Sequence, residues 1–406
     1  MAEGVGRTVA ALGTTQTLAW ASSYYLPAML AVPMARSLGV AVSTVFAAFS
    51  AALIVSALVG PYAGRAIDRW GGKPVLVVSN LVFAGGLAAL ASARGSAGLF
   101  AAWAVIGLGM GGGLYEAAFA AVVRLYGSAS RGAITGITLF AGFASTVGWP
   151  LSSFVEAHAG WRSACLTWAV LHLVLGLPLN LSLPRIGIRA SAIPVPALGE
   201  ADPEVAPPTN TRRVAMALSF VFASTLFVSA AMAAHLPRLL QLTGASLAAA
   251  VVAGALVGPA QVGARLLEYG FLRRLHPLLS ARIATLLHPV GASVLAIAGA
   301  PAAAAFGILH GGGNGILTIV KGTLPLALFG PHGYGERQGL LMVPARIAQA
   351  FAPLLFGFFL DRWGARAMWL SGSLSLAAFG VLFFLPRTPR ENTPAMGDGE
   401  ALASTH

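Results

Sequence analysis

The chain has 406 residues, of which 57% are hydrophobic and only 9% are charged. A soluble globular domain carries roughly 25% charged residues, so this composition excludes a water-soluble fold. The net charge of +12 does not indicate a nucleic-acid partner, because the 25 cations stand singly or in pairs between apolar runs. A membrane protein with arginine-rich cytoplasmic loops accounts for them.

Apolar runs bounded by charged, glycine and proline residues predict an all-α membrane protein with twelve transmembrane helices. A helix needs about 20 residues to cross a hydrocarbon layer of about 30 Å, and each run approaches or exceeds that length. The first run is too long for a secretory signal. The predicted spans are 9–34, 43–64, 74–93, 98–123, 132–156, 162–183, 214–237, 246–268, 279–299, 302–329, 338–360 and 367–385.

The segment 184–213 is rich in proline, contains three acidic residues and has no sustained apolar period. It predicts a cytoplasmic linker between an N-terminal six-helix bundle, 1–183, and a C-terminal six-helix bundle, 214–386. The polar tail 387–406 is predicted to be disordered and cytoplasmic. With both termini in the cytoplasm, sixteen arginine and lysine residues lie inside and six lie outside. This bias, with the abundance of glycine and alanine, predicts a multi-pass protein of a bacterial inner (plasma) membrane.

An internal repeat follows the second and eleventh spans. Gly64–Lys73 reads GRAIDRWGGK and Gly357–Arg366 reads GFFLDRWGAR, so five of the ten positions are identical. Weaker copies occupy 153–162 and 264–273. A unit of three helices repeated four times is therefore predicted, which in transporters places the solute site near the membrane midplane.

The string from Gly64 to Lys73 resembles the helix 2–3 loop signature of the major facilitator superfamily, roughly G-x-x-x-D-R-x-G-x-K/R. The spans, linker and repeats extend this resemblance over almost the whole chain. It implies two pseudo-symmetric six-helix bundles around a central cavity, which opens alternately to either side of the membrane. Drug exporters of the family carry an arginine early in helix 4, and this chain has none there.

The resemblance also implies which residues control closure between the halves. In one state, Asp68 is expected to pair with cations or with a helix N-terminus across the interface, and to release them in the other state. The alternative is that the loop charges only anchor a cytoplasmic loop. The gating candidates are Gly64, Asp68, Arg69, Gly71 and Lys73, with Arg265, Glu268, Asp361 and Arg362 from the other repeat copies.

Three ionisable residues inside the predicted spans are candidates for the solute site, because charge within a bilayer is costly. At 1.5 Å per residue, Glu116, Lys321 and Arg346 all lie about 12–14 Å from the cytoplasmic boundary. Two cations facing one acid predict an anion site, in which Glu116 pairs with a cation or takes up a proton. A fixed salt bridge between the halves is the alternative.

Other residues are predicted to line the same site. His310 is equally consistent with a titrating group and with a hydrogen-bonded structural histidine. His288, followed by a proline, is expected at the periphery or at a kink. The runs Gly111–Gly113 and Gly311–Gly313 predict close helix packing rather than phosphate binding. The lining candidates are Trp20, Tyr24, Tyr25, Tyr115, His235, His310 and Asn314.

The leading functional hypothesis is a secondary active transporter for a small anionic or polar solute, driven by a proton or counter-solute gradient. The alternative within this class is an efflux antiporter for lipophilic cations or small toxic species. The sequence lacks H-E-x-x-H, G-x-S-x-G and P-loop motifs and a soluble output domain, so an enzyme, an ATP-driven pump and a sensor are not predicted. The single cysteine, Cys165, gives no metal cluster. Expected partners are the solute, protons and the lipid bilayer, with no nucleic acid and no cofactor, in a monomer.

Overall fold

The computed structural model describes residues 2–184, 211–272 and 275–386, and in this part of the chain it is helical with no strand. The first half contains α1 (Ala2–Ser22 continued by Leu26–Leu38), α2 (Val42–Trp70), α3 (Gly72–Ser92), α4 (Gly95–Gly113 continued by Tyr115–Tyr126), α5 (Arg131–Ala141 continued by 144–160) and α6 (161–171 continued by His172–Gly176 and Leu177–Leu181). The second half contains α7 (Thr211–Leu242), α8 (Leu247–Gly270), α9 (Pro277–Ala298), α10 (Ala303–Phe329), α11 (Tyr334–Trp363) and α12 (Ala367–Val381).

The twelve predicted spans are thus found as twelve helical segments within the described residues, in two groups of six. Eight continuous helical stretches there are long and apolar enough to cross a membrane. One of them, Gly95–Leu181, contains α4 to α6, and another, Tyr334–Val381, contains α11 and α12. The predicted tail and residues 185–210 of the predicted linker lie outside the described residues, and α7 already begins at Thr211.

Glycines form the turns of three of the four sequence repeats. Gly71 (φ 86°, ψ 164°) and Gly160 (φ 82°, ψ 165°) have nearly the same backbone conformation, and Gly364 also has a positive φ of 57°. Residues with a side chain rarely adopt these φ values, so glycine permits the chain to reverse directly into the next helix. The third copy has Phe271 at this position with a φ of −112°, which residues other than glycine adopt readily, so this turn does not require glycine.

The two halves pack their inner helices in the same way. A Cβ on Gly107 of α4 would lie 2.6 Å from the Ala52 carbonyl oxygen of α2, and a Cβ on Gly311 of α10 would lie 2.6 Å from the Val257 carbonyl oxygen of α8. Such short distances require glycine, because the two helix backbones touch. The predicted packing role of the glycine runs is confirmed at Gly111 as well, whose Cβ would lie 2.8 Å from Val59.

Close contact between the halves is found on the side of the bundle where the described chain begins and ends, here called the terminal side. A Cβ on Gly64 of α2 would overlap the carbonyl oxygen of Gly335 in α11. One turn away, a Cβ on Gly339 would lie 2.6 Å from the Cα of Pro61. The α2–α11 crossing therefore brings two backbones together and closes the terminal side.

Candidate functional site

The centre of the site is an ion pair between the halves. Arg346 of α11 donates from Nη2 to both carboxylate oxygens of Glu116 in α4, at 3.0 and 2.9 Å. The side chains are 5% and 18% exposed, respectively. The sequence predicts that these two residues lie at the same depth, and in the structure they are in direct contact.

Helix breaks put polar backbone and aromatic side chains beside this pair. Helix α4 is interrupted at Leu114, so Glu116 stands in the first turn of a new helix, where the positive end of the helix dipole favours a negative charge. Helix α1 is interrupted at residues 23–25. Interrupted helices at mid-depth are typical of solute sites in secondary transporters.

A hydrogen-bonded chain connects the ion pair to the break in α1. Arg346 donates from Nη1 to the Gln349 side-chain oxygen at 3.1 Å, and Gln349 donates to the Tyr24 hydroxyl at 3.0 Å. Three helices from both halves therefore meet in one polar network. Gln349 was missed by sequence reasoning, although it lies three residues after Arg346 and so shares its helix face.

Lys321 of α10 lies near the pair but outside it. It is half-buried and lies within electrostatic reach of Glu116, Arg346 and Arg265. Its ammonium group makes no hydrogen bond and no ion pair with any residue in the described part of the chain. We call Glu116, Lys321, Arg346 and Arg265 the central charge cluster.

Arg265 of α8 is buried, with 5% exposure. It donates to the Thr138 carbonyl oxygen in α5 at 2.7 Å and to the Thr318 hydroxyl in α10 at 3.4 Å. Its guanidinium also lies beside the phenol of Tyr115. Arg265 therefore joins the halves at the site itself, a position compatible with either the predicted gate or a solute contact.

Aromatic rings form one wall beside the central charge cluster. The Trp20 ring is centred 4.8 Å from Tyr115 and 5.2 Å from Tyr24, and the Arg346 guanidinium lies 5.8 Å from the Trp20 ring centre. Tyr25 packs at a right angle to Tyr24. Tyr25 and Tyr115, both predicted to line the site, are thus brought together here.

Three other predicted lining residues lie elsewhere. His235 bonds through Nε2 to the Pro353 carbonyl oxygen at 2.7 Å, which joins α7 to α11 within the second half. His310 faces His288, and both line a small cavity with Asn314 inside the same half. The structure does not bring these three residues into contact with the central ion pair.

The predicted gating loop is in contact with the second half on the terminal side. Asp68 accepts hydrogen bonds from the backbone N–H groups of Gly335 at 2.9 Å and Glu336 at 2.8 Å. It thus caps the first turn of α11, whose own N-cap residue, Gly333, has no side chain to do so. Arg65 adds an ion pair with Glu336 at 2.5 Å.

The remaining gating candidates divide into two groups. On the terminal side, Glu268 pairs with Arg131 of α5 at 3.0 Å, another contact between the halves and one that sequence reasoning missed. Lys73 donates to the Leu183 carbonyl oxygen within the first half, and Arg69 stacks over Trp70. On the other side, exposed Asp361 pairs with Arg238, beside exposed Arg362.

The distribution of contacts between the halves is uneven. Among the described residues, every hydrogen bond or ion pair that joins them lies on the terminal side or near mid-depth. The one nearest the opposite side is donated by the Ser50 hydroxyl to the Ala350 carbonyl oxygen, at 3.1 Å. Between mid-depth and the opposite side, the described residues therefore form no polar link between the halves.

Comparison with known proteins agrees with this architecture. The profile described as Major Facilitator Superfamily matches residues 12–303. The chain belongs to this superfamily. It is therefore a multi-pass membrane protein of a transporter family, as the sequence motif predicts.

Similar proteins support the fold over nearly the full length of this superfamily member. An uncharacterized 38 kDa protein of Thermoproteus tenax is 28% identical over 376 residues, covering 89% of this chain and 93% of that protein. The human organic anion transporter MFSD10 (TETRAN) aligns with a TM-score of 0.70 at 18% identity, over 93% of this chain and 99% of its own. The proton:xylose symporter XylE aligns with a TM-score of 0.69 at 13% identity, over 95% and 96%.

The capping role of Asp68 gives a first prediction. Asp68→Asn removes the negative charge at the α11 N-terminus and leaves one oxygen to accept two N–H groups. A charge at a helix terminus contributes roughly 0.3–2 kcal/mol, so the closed terminal side should become about 2- to 30-fold less populated. Turnover in proteoliposomes should fall, while the melting temperature changes little. Wild-type exchange rates in this variant would contradict the gating role of Asp68.

Proposed function

We propose that this protein is a secondary active transporter that moves a small anionic solute by alternating access, coupled to protons. We further propose that it works as a monomer in a bacterial inner membrane with both termini in the cytoplasm. The observation that carries the proposal is the position of Lys321, a cation beside the central ion pair that has no hydrogen-bond or ion-pair partner among the described residues.

The charge balance of the central charge cluster supports an anionic solute. Three cations, Lys321, Arg346 and Arg265, accompany one acid, Glu116. Charges taken out of water without a counter-charge are costly, so a bound anion would offset an existing electrostatic penalty. A bound cation would add to the excess of positive charge, because the one acid in this cluster already pairs with Arg346.

The geometry of the ion pair suggests how the solute would enter it. Arg346 uses Nη2 for both oxygens of Glu116 and Nη1 for Gln349, so the two-nitrogen fork that best fits a carboxylate is not formed. An incoming carboxylate or other oxyanion can take the place of Glu116 between Arg346 and Lys321. In the empty site, Glu116 occupies the position that the solute would take.

The same exchange offers a route for proton coupling. When Glu116 takes up a proton, it loses the charge that holds Arg346, and the guanidinium becomes available to the anion. Protons and anions would then bind together and cross together. The structural relatives include an organic anion transporter and a proton:xylose symporter, which is compatible with such a pairing.

Alternating access is supported by the unequal closure of the two sides. The terminal side is closed by the glycine crossing and by the hydrogen bonds of Asp68. With the termini in the cytoplasm, the present conformation would receive solute from outside. Opening of these contacts would then release it to the inside.

The alternative function is efflux of lipophilic cations, for which the aromatic wall of Trp20, Tyr24, Tyr25 and Tyr115 is the favourable feature. Aromatic faces attract cations. A panel of small carboxylates, sulfonates, phosphate and lipophilic cations, screened by thermal stabilisation of the purified protein, separates the two. Stabilisation by cations alone would overturn the anion proposal.

Glu116→Gln tests the exchange directly. The variant keeps the size of the side chain but cannot hold Arg346 with a full charge, so anion affinity should rise several-fold and its pH dependence should flatten. Glu116→Asp, which keeps the acid on a shorter stem, is the matched control and should retain the pH dependence. The measurement is a set of binding isotherms for the best anion of the panel across pH. An undiminished pH dependence in Glu116→Gln would reject Glu116 as the coupling acid.

A further inference from the structure

A second polar site lies inside the C-terminal half, away from the central charge cluster. His288 of α9 and His310 of α10 are each 5% exposed, and their Nδ1 atoms are 3.0 Å apart. Of the two alternatives predicted for His288, the periphery and a kink, the periphery is therefore wrong, because its ring turns inward between α10 and α12. Two buried histidines in direct contact are unexplained by the proposed anion exchange.

The hydrogen-bond network fixes which nitrogen of each ring carries a proton. Ser371 donates its hydroxyl to the Met368 carbonyl oxygen at 2.9 Å, so it accepts from Nε2–H of His288 at 3.1 Å. A neutral His288 then has an acceptor at Nδ1. His310 must therefore donate from Nδ1–H, which leaves its Nε2 as an unprotonated acceptor.

This acceptor belongs to a ring that lines a small cavity. The cavity has a volume of about 20 Å³, enough for one water molecule. In the described part of the chain, Nε2 of His310 makes no hydrogen bond, and neither do the side chains of Ser229, Asn314 and Ser375, which line the same cavity. Four residues, each with a side-chain polar atom that has no hydrogen-bond partner among the described residues, thus line a space of the size of a water molecule.

We propose that the His288–His310 pair and this cavity form a binding site for one proton, which is taken up at Nε2 of His310. A hydronium ion entering the cavity would transfer its proton to Nε2 and leave as water. His310 would become an imidazolium ion and keep its Nδ1–H bond to His288. Every existing hydrogen bond survives this step.

The capacity of the site is one proton. A second proton would have to bind Nδ1 of His288, which already accepts the bond from His310, so it would break the pair and place two positive charges side by side. The polar groups that face the two rings from α7, α9, α10 and α12 are hydroxyls and one amide, with no charged side chain among the described residues. They are Thr225, Ser229, Thr285, Asn314, Ser371 and Ser375.

The N-terminal half contains a buried histidine that, unlike His310, has a hydrogen-bond partner at each ring nitrogen. His172 donates from Nδ1 to the Asn80 side-chain oxygen at 2.7 Å and accepts from the Ser22 hydroxyl at Nε2 at 2.8 Å. Both of its nitrogens are partnered, and the residue is fully buried. His172 is therefore a structural histidine, and it serves as the internal control for His310.

The proton site also bears on transport, and this part of the inference rests on the proposed function. His310 and Lys321 stand on α10, eleven residues and about 16 Å apart along the helix axis. A proton on His310 adds positive charge to the helix that presents Lys321 to the solute. Proton binding and anion binding should therefore strengthen each other by a few-fold, in both directions.

The test is a ¹⁵N nuclear magnetic resonance titration of histidine-labelled full-length protein in nanodiscs, from about pH 8 to about pH 5, the range in which histidine changes charge. The His310→Gln, His288→Gln and His172→Gln variants assign the signals. We expect His310 to begin as the Nδ1–H form and to gain one proton, while His172 and His288 stay neutral. A His310 that remains neutral throughout, or that carries its first proton on Nε2, overturns the proposal.

The Glu116→Gln variant separates this proposal from the proposed function. Its anion binding should lose most of its pH dependence, because Glu116 no longer titrates, whereas the His310 signals should still titrate. Titration of His310 without any anion binding would support the proton site and reject the anion proposal. Anion binding without titration of His310 would support the anion proposal and reject the proton site.

Discussion

Lys321→Met is expected to weaken anion binding by about 30- to 150-fold, the equivalent of about 2–3 kcal/mol, because hydrogen bonds to charged groups contribute up to about 3 kcal/mol. Methionine keeps most of the apolar stem and removes only the ammonium group. In the empty protein this group has no partner among the described residues. The substitution should therefore leave folding nearly unchanged, in contrast to the loss of one member of the Glu116–Arg346 pair.

The chain offers a matched control in its other lysine. Lys73→Met changes the net charge by the same amount but lies on the terminal side, where Lys73 contacts the Leu183 carbonyl oxygen. It should leave anion affinity within about two-fold of wild type, because salt largely screens a charge on the terminal side from the solute site. Binding isotherms for both variants, with the anion chosen from the panel, provide the comparison. Equal affinities in wild type and Lys321→Met would remove Lys321 from the solute site.

Gly64→Ala is expected to destabilise the closed terminal side. The added Cβ would overlap the Gly335 carbonyl oxygen, and because the obstacle is backbone, no side-chain rotation can relieve it. Overpacking of this kind costs about 1–3 kcal/mol, so the closed state should lose about 5- to 150-fold in population. Transport should fall by a similar factor. The helix itself should not suffer, because alanine is a better helix former than glycine.

Gly60→Ala is the control for this substitution. Gly60 lies one turn away on the same face of α2, but its Cβ would meet the Gly339 Cα at 3.9 Å, an ordinary van der Waals distance. Transport by this variant should remain near that of wild type. If Gly60→Ala and Gly64→Ala were equally impaired, the cause would be general damage to α2. If both were active, the glycine crossing would have no part in closure.

The sequence predicts the fold because the physics of the bilayer leaves few choices. Long apolar runs must be helices that satisfy their own backbone hydrogen bonds, and the repeated Asp-Arg-Trp-Gly string marks equivalent turns. Depth along a helix is equally predictable, which is why Glu116 and Arg346 meet at the same level. The contact of Asp68 with the α11 N-terminus also agrees with the closed state that the resemblance implies.

The direction in which each side chain points is harder to predict from a single sequence. Helices of this chain are apolar on most faces, so no polar stripe indicates which side of α9 or α10 turns inward. The sequence therefore predicts His288 at the periphery or at a kink and His310 in the lining of the solute site, whereas their mutual contact depends on the rotation of two helices. Gln349 escaped prediction for a related reason, since a neutral amide within a span carries less signal than a charge.

The most direct test of alternating access about a shared site is a pair of distance measurements by double electron–electron resonance in a Cys165→Ala background. One pair of spin labels, at the exposed positions Ser128 and His332, reports on the terminal side, and the other, at the exposed positions Ser43 and Ala248, reports on the opposite side. In Gly64→Ala, the first distance should lengthen and the second should shorten relative to the otherwise wild-type protein. Distances that change in the same direction, or that do not change at all, would contradict the account.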